Sequence, residues 1–129
     1  LMITLTREQQ GNFQLSNEAG FTINGVTSQD SENGLTPFQL ISSSLSLCMA
    51  LSLDALINRD ELDVDRYTIS VKPQKAEDSP SRIEKFTIEV DVIGSVDDKV
   101  KQKLVKLAKR ACTVGNTIER GATVDVSVK

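Results

Sequence analysis

Cys48 and Cys112 are the residues best suited to chemistry in this 129-residue sequence, which contains no histidine. Without imidazole there is no Ser-His-Asp or Cys-His catalytic pair, no His-ligated haem and no mixed Cys/His zinc site. Two thiols also fall short of an all-cysteine zinc site, which needs four thiolates, and neither belongs to a CxxC. No metal and no cofactor are therefore expected. If the chain is an enzyme, its chemistry is that of a thiol pair, and the question is which sulfur ionises.

Cys48 falls within a run of helical spacing, on an apolar face. Burial alone reads it as a small core side chain. Cys112 falls at the junction of two helical segments. There the amides of a helix start, with Lys109 and Arg110 nearby, are expected to lower its pKa toward a reactive thiolate.

The elements that must position these sulfurs can be read from pattern. Met2 to Thr6, Phe13 to Ser16 and Phe21 to Ile23 are short β-prone runs separated by Gln9-Gln10-Gly11-Asn12 and Glu18-Ala19-Gly20, an antiparallel meander. Thr27 to Gly34 is a polar loop. Thr36-Pro37-Phe38-Gln39 combines an N-cap threonine, a proline at the first helical position and a glutamine three after the cap. It predicts a helix over 37–58. Phe38, Ile41, Leu45, Cys48, Met49 and Leu56 form one apolar stripe, and Leu40, Leu47 and Leu51 a second, so this helix is expected to be central and buried. Its small serines at 42, 43, 44 and 46 suit close packing against another helix and can bond back to the preceding turn.

Tyr67 to Val71 and Arg82 to Ile93 alternate as strands of a hairpin, with Phe86, Ile88, Val90 and Val92 on one face. Ser95, with Asp98 three residues on, predicts the cap of an amphipathic helix that turns Val100, Leu104, Leu107, Ala108 and Ala111 inward. A short helix over 114–120 closed by Gly121 in the left-handed region and a strand over 123–128 complete an α+β fold, expected as one domain over 1–129.

Hydrophobic residues make up 39% and charged residues 26% of the chain, a globular composition. The net charge of −3 gives no reason to expect nucleic acid. One tyrosine and four phenylalanines offer no stacking platform, and the Lys-rich face over 101–110 reads as a solvated helix surface. The apolar run from Leu40 to Leu56 is broken by serines and Asp54, which argues against a membrane span. With no secretory pattern, the cysteines are expected to be reduced thiols in the cytoplasm.

Two segments carry a family resemblance. Thr36-Pro37-Phe38-Gln39-Leu40, with Cys48 eleven positions after Pro37, resembles the N-P-E-x-L-(x7)-C segment of the OsmC/Ohr superfamily of osmotically inducible and organic hydroperoxide resistance proteins. Cys112-Thr113-Val114-Gly115-Asn116-Thr117-Ile118 is similar to its second segment, C-P-V-S-N-A-L. The order of elements agrees along nearly the whole chain. The resemblance implies an OsmC-like fold with antiparallel sheets, a buried central helix and an intertwined homodimer. It also implies a peroxidatic Cys48, a resolving Cys112 and an external dithiol reductant. Arg7 is the match for a family arginine that orients peroxide, while Phe38, Gln39, Ile41 and Met49 would line an apolar site for organic hydroperoxides. Two positions depart from the pattern: Phe38 stands where peroxidase members carry glutamate, and Thr113 where they carry proline. Without a well-placed cation, a thiol inside an apolar helix is expected to be poorly ionised. A non-catalytic dimer holding a small hydrophobic ligand is the competing expectation.

Overall fold

The computed structural model describes the backbone of residues 1–129 and every side chain except that of Ser28. Strands β1 (Thr4–Arg7), β2 (Phe13–Ser16) and β3 (Thr22–Gly25) form an antiparallel sheet in sequential order. Asn17 holds the second turn, its side-chain oxygen accepting from the amides of Ala19 and Phe21. A single 3-10 turn, Ser28–Asp30, interrupts the polar loop. These strands, the loop and the start of the first helix make one compact unit, Leu1–Ile41; Ser42–Lys129 makes the second.

Helix α1 (Pro37–Arg59) starts where the capping signal places it. The Thr36 amide donates to Gln39 Oε1 at 2.9 Å and the Gln39 amide to Thr36 Oγ1 at 3.2 Å, a reciprocal cap. Within the second unit α1 buries Ser42, Leu45, Met49 and Leu53. Leu47 and Leu51, on the second predicted stripe, are each 62% exposed, so the helix is buried on one side of the chain and not all round. Ser46 Oγ bonds back to the Ser43 carbonyl at 2.9 Å, while Ser42 Oγ is buried with no hydrogen-bond partner. By length and composition alone α1 would also suffice to cross a bilayer, a test that the core helix of a globular domain passes as well. The serines lower its hydropathy too little to offset so many leucines.

Strands β4 (Val64–Lys75) and β5 (Ile83–Gly94) form the long hairpin, longer at both ends of β4 than its alternation shows. Tyr67 pairs with Val92, Ile69 with Val90, Val71 with Ile88 and Pro73 with Phe86, so one face carries these apolar side chains and the other Thr68, Ser70, Glu89, Asp91 and the exposed Ile93. Gly94 is required at the hairpin's open end: a side chain there would collide with the Asp63 carbonyl and Val64 backbone. Helix α2 (Asp98–Ala111) is capped by Asp97, not Ser95, the Asp97 carboxylate accepting from the Val100 amide at 3.0 Å. Leu104 and Ala108 of α2 close against Leu45, Met49, Leu53 and Cys112 to make the core, flanked by the apolar face of the hairpin.

Helix α3 (Thr113–Arg120) ends on Gly121, whose φ of 80° and ψ of 166° lie in a region essentially confined to glycine but outside the left-handed helical one expected. The expected strand over 123–128 is not formed. It has no partner within the chain, and Val124, Val126 and Val128 are 83%, 87% and 95% exposed. A strand's backbone groups need a neighbouring strand, and this chain offers the segment none.

Candidate functional site

The two cysteines, remote in sequence, meet within the second unit. Cys48 projects from the middle of α1 and is half-buried; Cys112 joins α2 to α3 and is 1% exposed. Neither is in a disulfide; Cys48 packs against the core cluster that contains Cys112, and each thiol shifts the ionisation of the other.

Cys112 is both the C-cap of α2 and the N-cap of α3, its amide donating to the Lys109 carbonyl at 3.2 Å. The chain must turn sharply here, and that turn delivers the free amides of α3 to the sulfurs. The Gly115 amide donates to Cys112 Sγ at 3.3 Å. The Val114 amide and, less strongly, that of Thr113 favour the ionised form of Cys48. A helix start carries unsatisfied N–H groups and partial positive charge, the setting that favours a thiolate.

The two sulfurs are therefore poised in opposite directions. The Val114 amide holds the Cys48 thiol below its ordinary pKa against the opposing effect of burial, with help from the Cys112 S–H and the Thr113 amide. Burial pushes Cys112 up, and donating its proton toward Cys48 pushes it further, outweighing the Gly115 amide. This reverses the sequence expectation, in which Cys112 gains from the helix start and Cys48 lacks a cation. Spacing along the chain puts the amides nearest Cys112; the packing of α3 on α1 hands most of their effect to Cys48. Nor do the expected cations serve Cys112: Lys109 is paired with Glu119 at 3.6 Å, and neither lysine nor arginine enters among the causes of its shift.

The remaining expected site residues divide. Met49 is 2% exposed in the core and lines a cavity that also reaches Cys112. Gln39 has its side-chain oxygen accepting from the Thr36 amide in the cap of α1. Arg7 ends β1 with its guanidinium 4.0 Å from the centroid of the Phe13 ring, a cation–π contact within the meander. Phe38 and Ile41 are 40% and 38% exposed. Arg7, Phe38, Gln39 and Ile41 all belong to Leu1–Ile41, outside the unit that contains both thiols. What the sequence reading missed are the backbone amides of Val114 and Thr113, whose only signal was the helix start after Cys112. It also missed Tyr67, which fixes α1 to the hairpin: its hydroxyl donates to Asp54 Oδ1 at 2.6 Å, lies 3.1 Å from the Ala50 carbonyl, and is pushed up to about 12 by burial and then by that carboxylate. No group of metal-ligating side chains occurs among the described residues.

The family model for OsmC-like proteins matches residues 28–127, a span that includes both cysteines. The chain belongs to the OsmC-like family. An uncharacterised protein of Mycobacterium tuberculosis strain H37Rv is 33% identical to it over 109 residues, covering 80% of this chain and 78% of that protein. The fold matches an OsmC-like protein from Mycoplasma pneumoniae with a TM-score of 0.81 at 11% identity, over 92% of this chain and 86% of the other. It also matches an organic hydroperoxide resistance protein from Bacillus subtilis with a TM-score of 0.68 at 17% identity, over 91% of this chain and 90% of the other. The α+β architecture of two antiparallel sheets and three α-helices is thus that of an OsmC-like protein.

Proposed function

We propose that this OsmC-like chain is a cysteine-based, thiol-dependent peroxidase that reduces organic hydroperoxides. Family membership points to a peroxide-related stress function, and one observation carries the finer reading: two reduced thiols pack in one cluster, with the Cys48 pKa held down and that of Cys112 pushed up. The Cys48 thiolate attacks a peroxide oxygen, the O–O bond breaks, and the alkoxide leaves as an alcohol on taking a proton. Cys48 is then a sulfenic acid. Cys112, packed in the same cluster, attacks that sulfur through its thiolate; the S–S bond forms and hydroxide departs as water. An external dithiol returns both residues to thiols. The amides of Val114 and Thr113 supply the electrostatic help for Cys48 that no carboxylate–arginine pair supplies within the second unit.

The reading includes a homodimer in the cytoplasm. Leu47 and Leu51 on α1, and the alternating Val124, Val126 and Val128, form apolar surfaces that a second copy of the chain would cover. Sedimentation of the purified chain as a dimer supports this part; a monomer at micromolar concentration contradicts it.

The catalytic test uses reduced protein, cumene hydroperoxide and a dithiol. Hydroperoxide consumption is expected from the wild type and none above background from Cys48→Ser, while Cys112→Ser should react once and stall as sulfenic acid. Turnover that survives Cys48→Ser ends the proposal. The cavity beside Cys112 favours a second reading, a non-catalytic protein holding a small hydrophobic ligand. That reading requires no Cys48–Cys112 disulfide after peroxide treatment and a lipid-like molecule retained in native mass spectra.

A further inference from the structure

A second groove, lined by neither cysteine, runs between β5 and α2. Its volume is about 580 Å³, within the range of small-molecule sites. The floor is apolar, made by Val90 and Val92 of the strand and Val105 of the helix, and Val92 is only 5% exposed. Lys101, Lys106 and Lys109 line the helix side. Helix α2 carries six basic residues and one acidic one in fourteen positions, although the chain as a whole has a net charge of −3. Positive charge is therefore concentrated beside this groove. Lys106 has Lys103 three positions before it and Arg110 four after it, like charges on neighbouring turns that a bound anion would relieve.

The pairing of these cations sets the charge of the ligand. Lys109 is paired with Glu119 at 3.6 Å, whereas Lys101 and Lys106 take part in none of the ion pairs among the described residues. Lys101 is half-buried, so part of its aliphatic stem is covered while its ammonium keeps no carboxylate partner. Asp91 is the one carboxylate of the lining, exposed and equally unpaired. Two free ammoniums against one carboxylate leave a single net positive charge, which matches a monoanion. The lining has no arginine, and so lacks the planar fork that grips a phosphate dianion at two oxygens. Along α2 the stretch from Lys101 to Lys109 is about 12 Å long at the helical rise, comparable to an extended eight-carbon acid.

We propose that this groove binds a medium-chain carboxylate, its head on the lysine rim and its chain along Val90, Val92 and Val105. The site needs neither thiol and is independent of the peroxide reading.

The test titrates the purified, reduced, isotope-labelled full chain with butyrate, octanoate and octan-1-ol at constant ionic strength, following backbone amide shifts by NMR. Octanoate is expected to move the amides of Val90, Val92 and Val105. It should bind at least about ten-fold more tightly than butyrate, because each of the four further methylenes contributes up to about four-fold when buried. It should also bind several-fold more tightly than octan-1-ol, which has the chain without the charge. The double variant Lys101→Gln/Lys106→Gln is expected to lose that advantage over the alcohol with its urea midpoint unchanged. Asp91→Asn, which removes the opposing carboxylate, should strengthen octanoate binding several-fold and leave octan-1-ol as it was. Equal affinities for octanoate and butyrate, octanoate binding untouched by all three substitutions, shifts confined to other parts of the chain, or no saturation at millimolar octanoate would each overturn the proposal. Sedimentation without octanoate addresses the other occupant: a dimer that the lysine substitutions dissociate would make this groove an interface between copies and overturn it as well.

Discussion

In Ser42–Lys129, leucines, a methionine and a cysteine from α1, α2 and the α2–α3 junction are buried against one face of a long hairpin. In Leu1–Ile41, among the described side chains, the one buried residue is Thr36, a polar cap. The meander has Ile3, Leu5 and Phe21 at 62%, 53% and 69% exposure, and three four-residue strands without a covered face supply little hydrophobic stabilisation. The contrast teaches that local chemistry and core chemistry have been separated along the chain. Turns and caps define the first unit; burial defines the second, with Cys112 inside its core and Cys48 half-buried against it.

Leu53→Ala tests that contrast most severely. Leu53 is fully buried, so its truncation should cost about 2–5 kcal/mol in denaturant unfolding, whereas Leu5→Ala in the meander should cost well under 1 kcal/mol. Comparable losses at the two positions would show that a partner surface covers the meander and would break the comparison.

A second measurement sharpens it within the core. Because the thiolate is the nucleophile, alkylation of each cysteine rises with pH through its own pKa. Cys48, held low, should reach half its maximal rate at a lower pH than an ordinary thiol and Cys112 at a higher one. At neutral pH iodoacetamide should modify Cys48 at least about ten-fold faster, a gap widened by the burial of Cys112, as read by peptide mass spectrometry over a pH series. Equal pH profiles would mean that the α3 amides do not discriminate between the sulfurs.

The smallest expected effect is at the cap. Thr36→Ala removes the acceptor for the Gln39 amide and should destabilise the chain by about 1 kcal/mol, read as a lowered urea midpoint with unchanged slope. Tyr67→Phe should cost a similar amount, about 1 kcal/mol, since its hydroxyl bonds a carboxylate that water also reaches.

Features set by near neighbours in the chain are legible in the amino-acid sequence alone. The Thr36–Gln39 cap, the start of α1 at Pro37, the alternation of β5 and the break at Cys112 all follow from side chains and backbone within a few residues of one another. Where a neighbour one or two positions away competes equally well, as Asp97 does with Ser95, local pattern does not single out the cap. The resemblance to OsmC-like proteins is legible because its two motifs are themselves local.

What only tertiary structure decided is which thiol ionises more readily. Cys112 precedes the helix start in sequence, yet the amides of Val114 and Thr113 serve Cys48, which arrives from another helix. Hydrogen bonds act over about 3 Å of space regardless of chain separation, and desolvation depends on everything packed around an atom. The exposed Leu47 and Leu51 and the unpaired segment over 123–128 belong to the same class. Apolar pattern declares that a surface wants covering, and only the folded chain shows which of those surfaces it covers by itself.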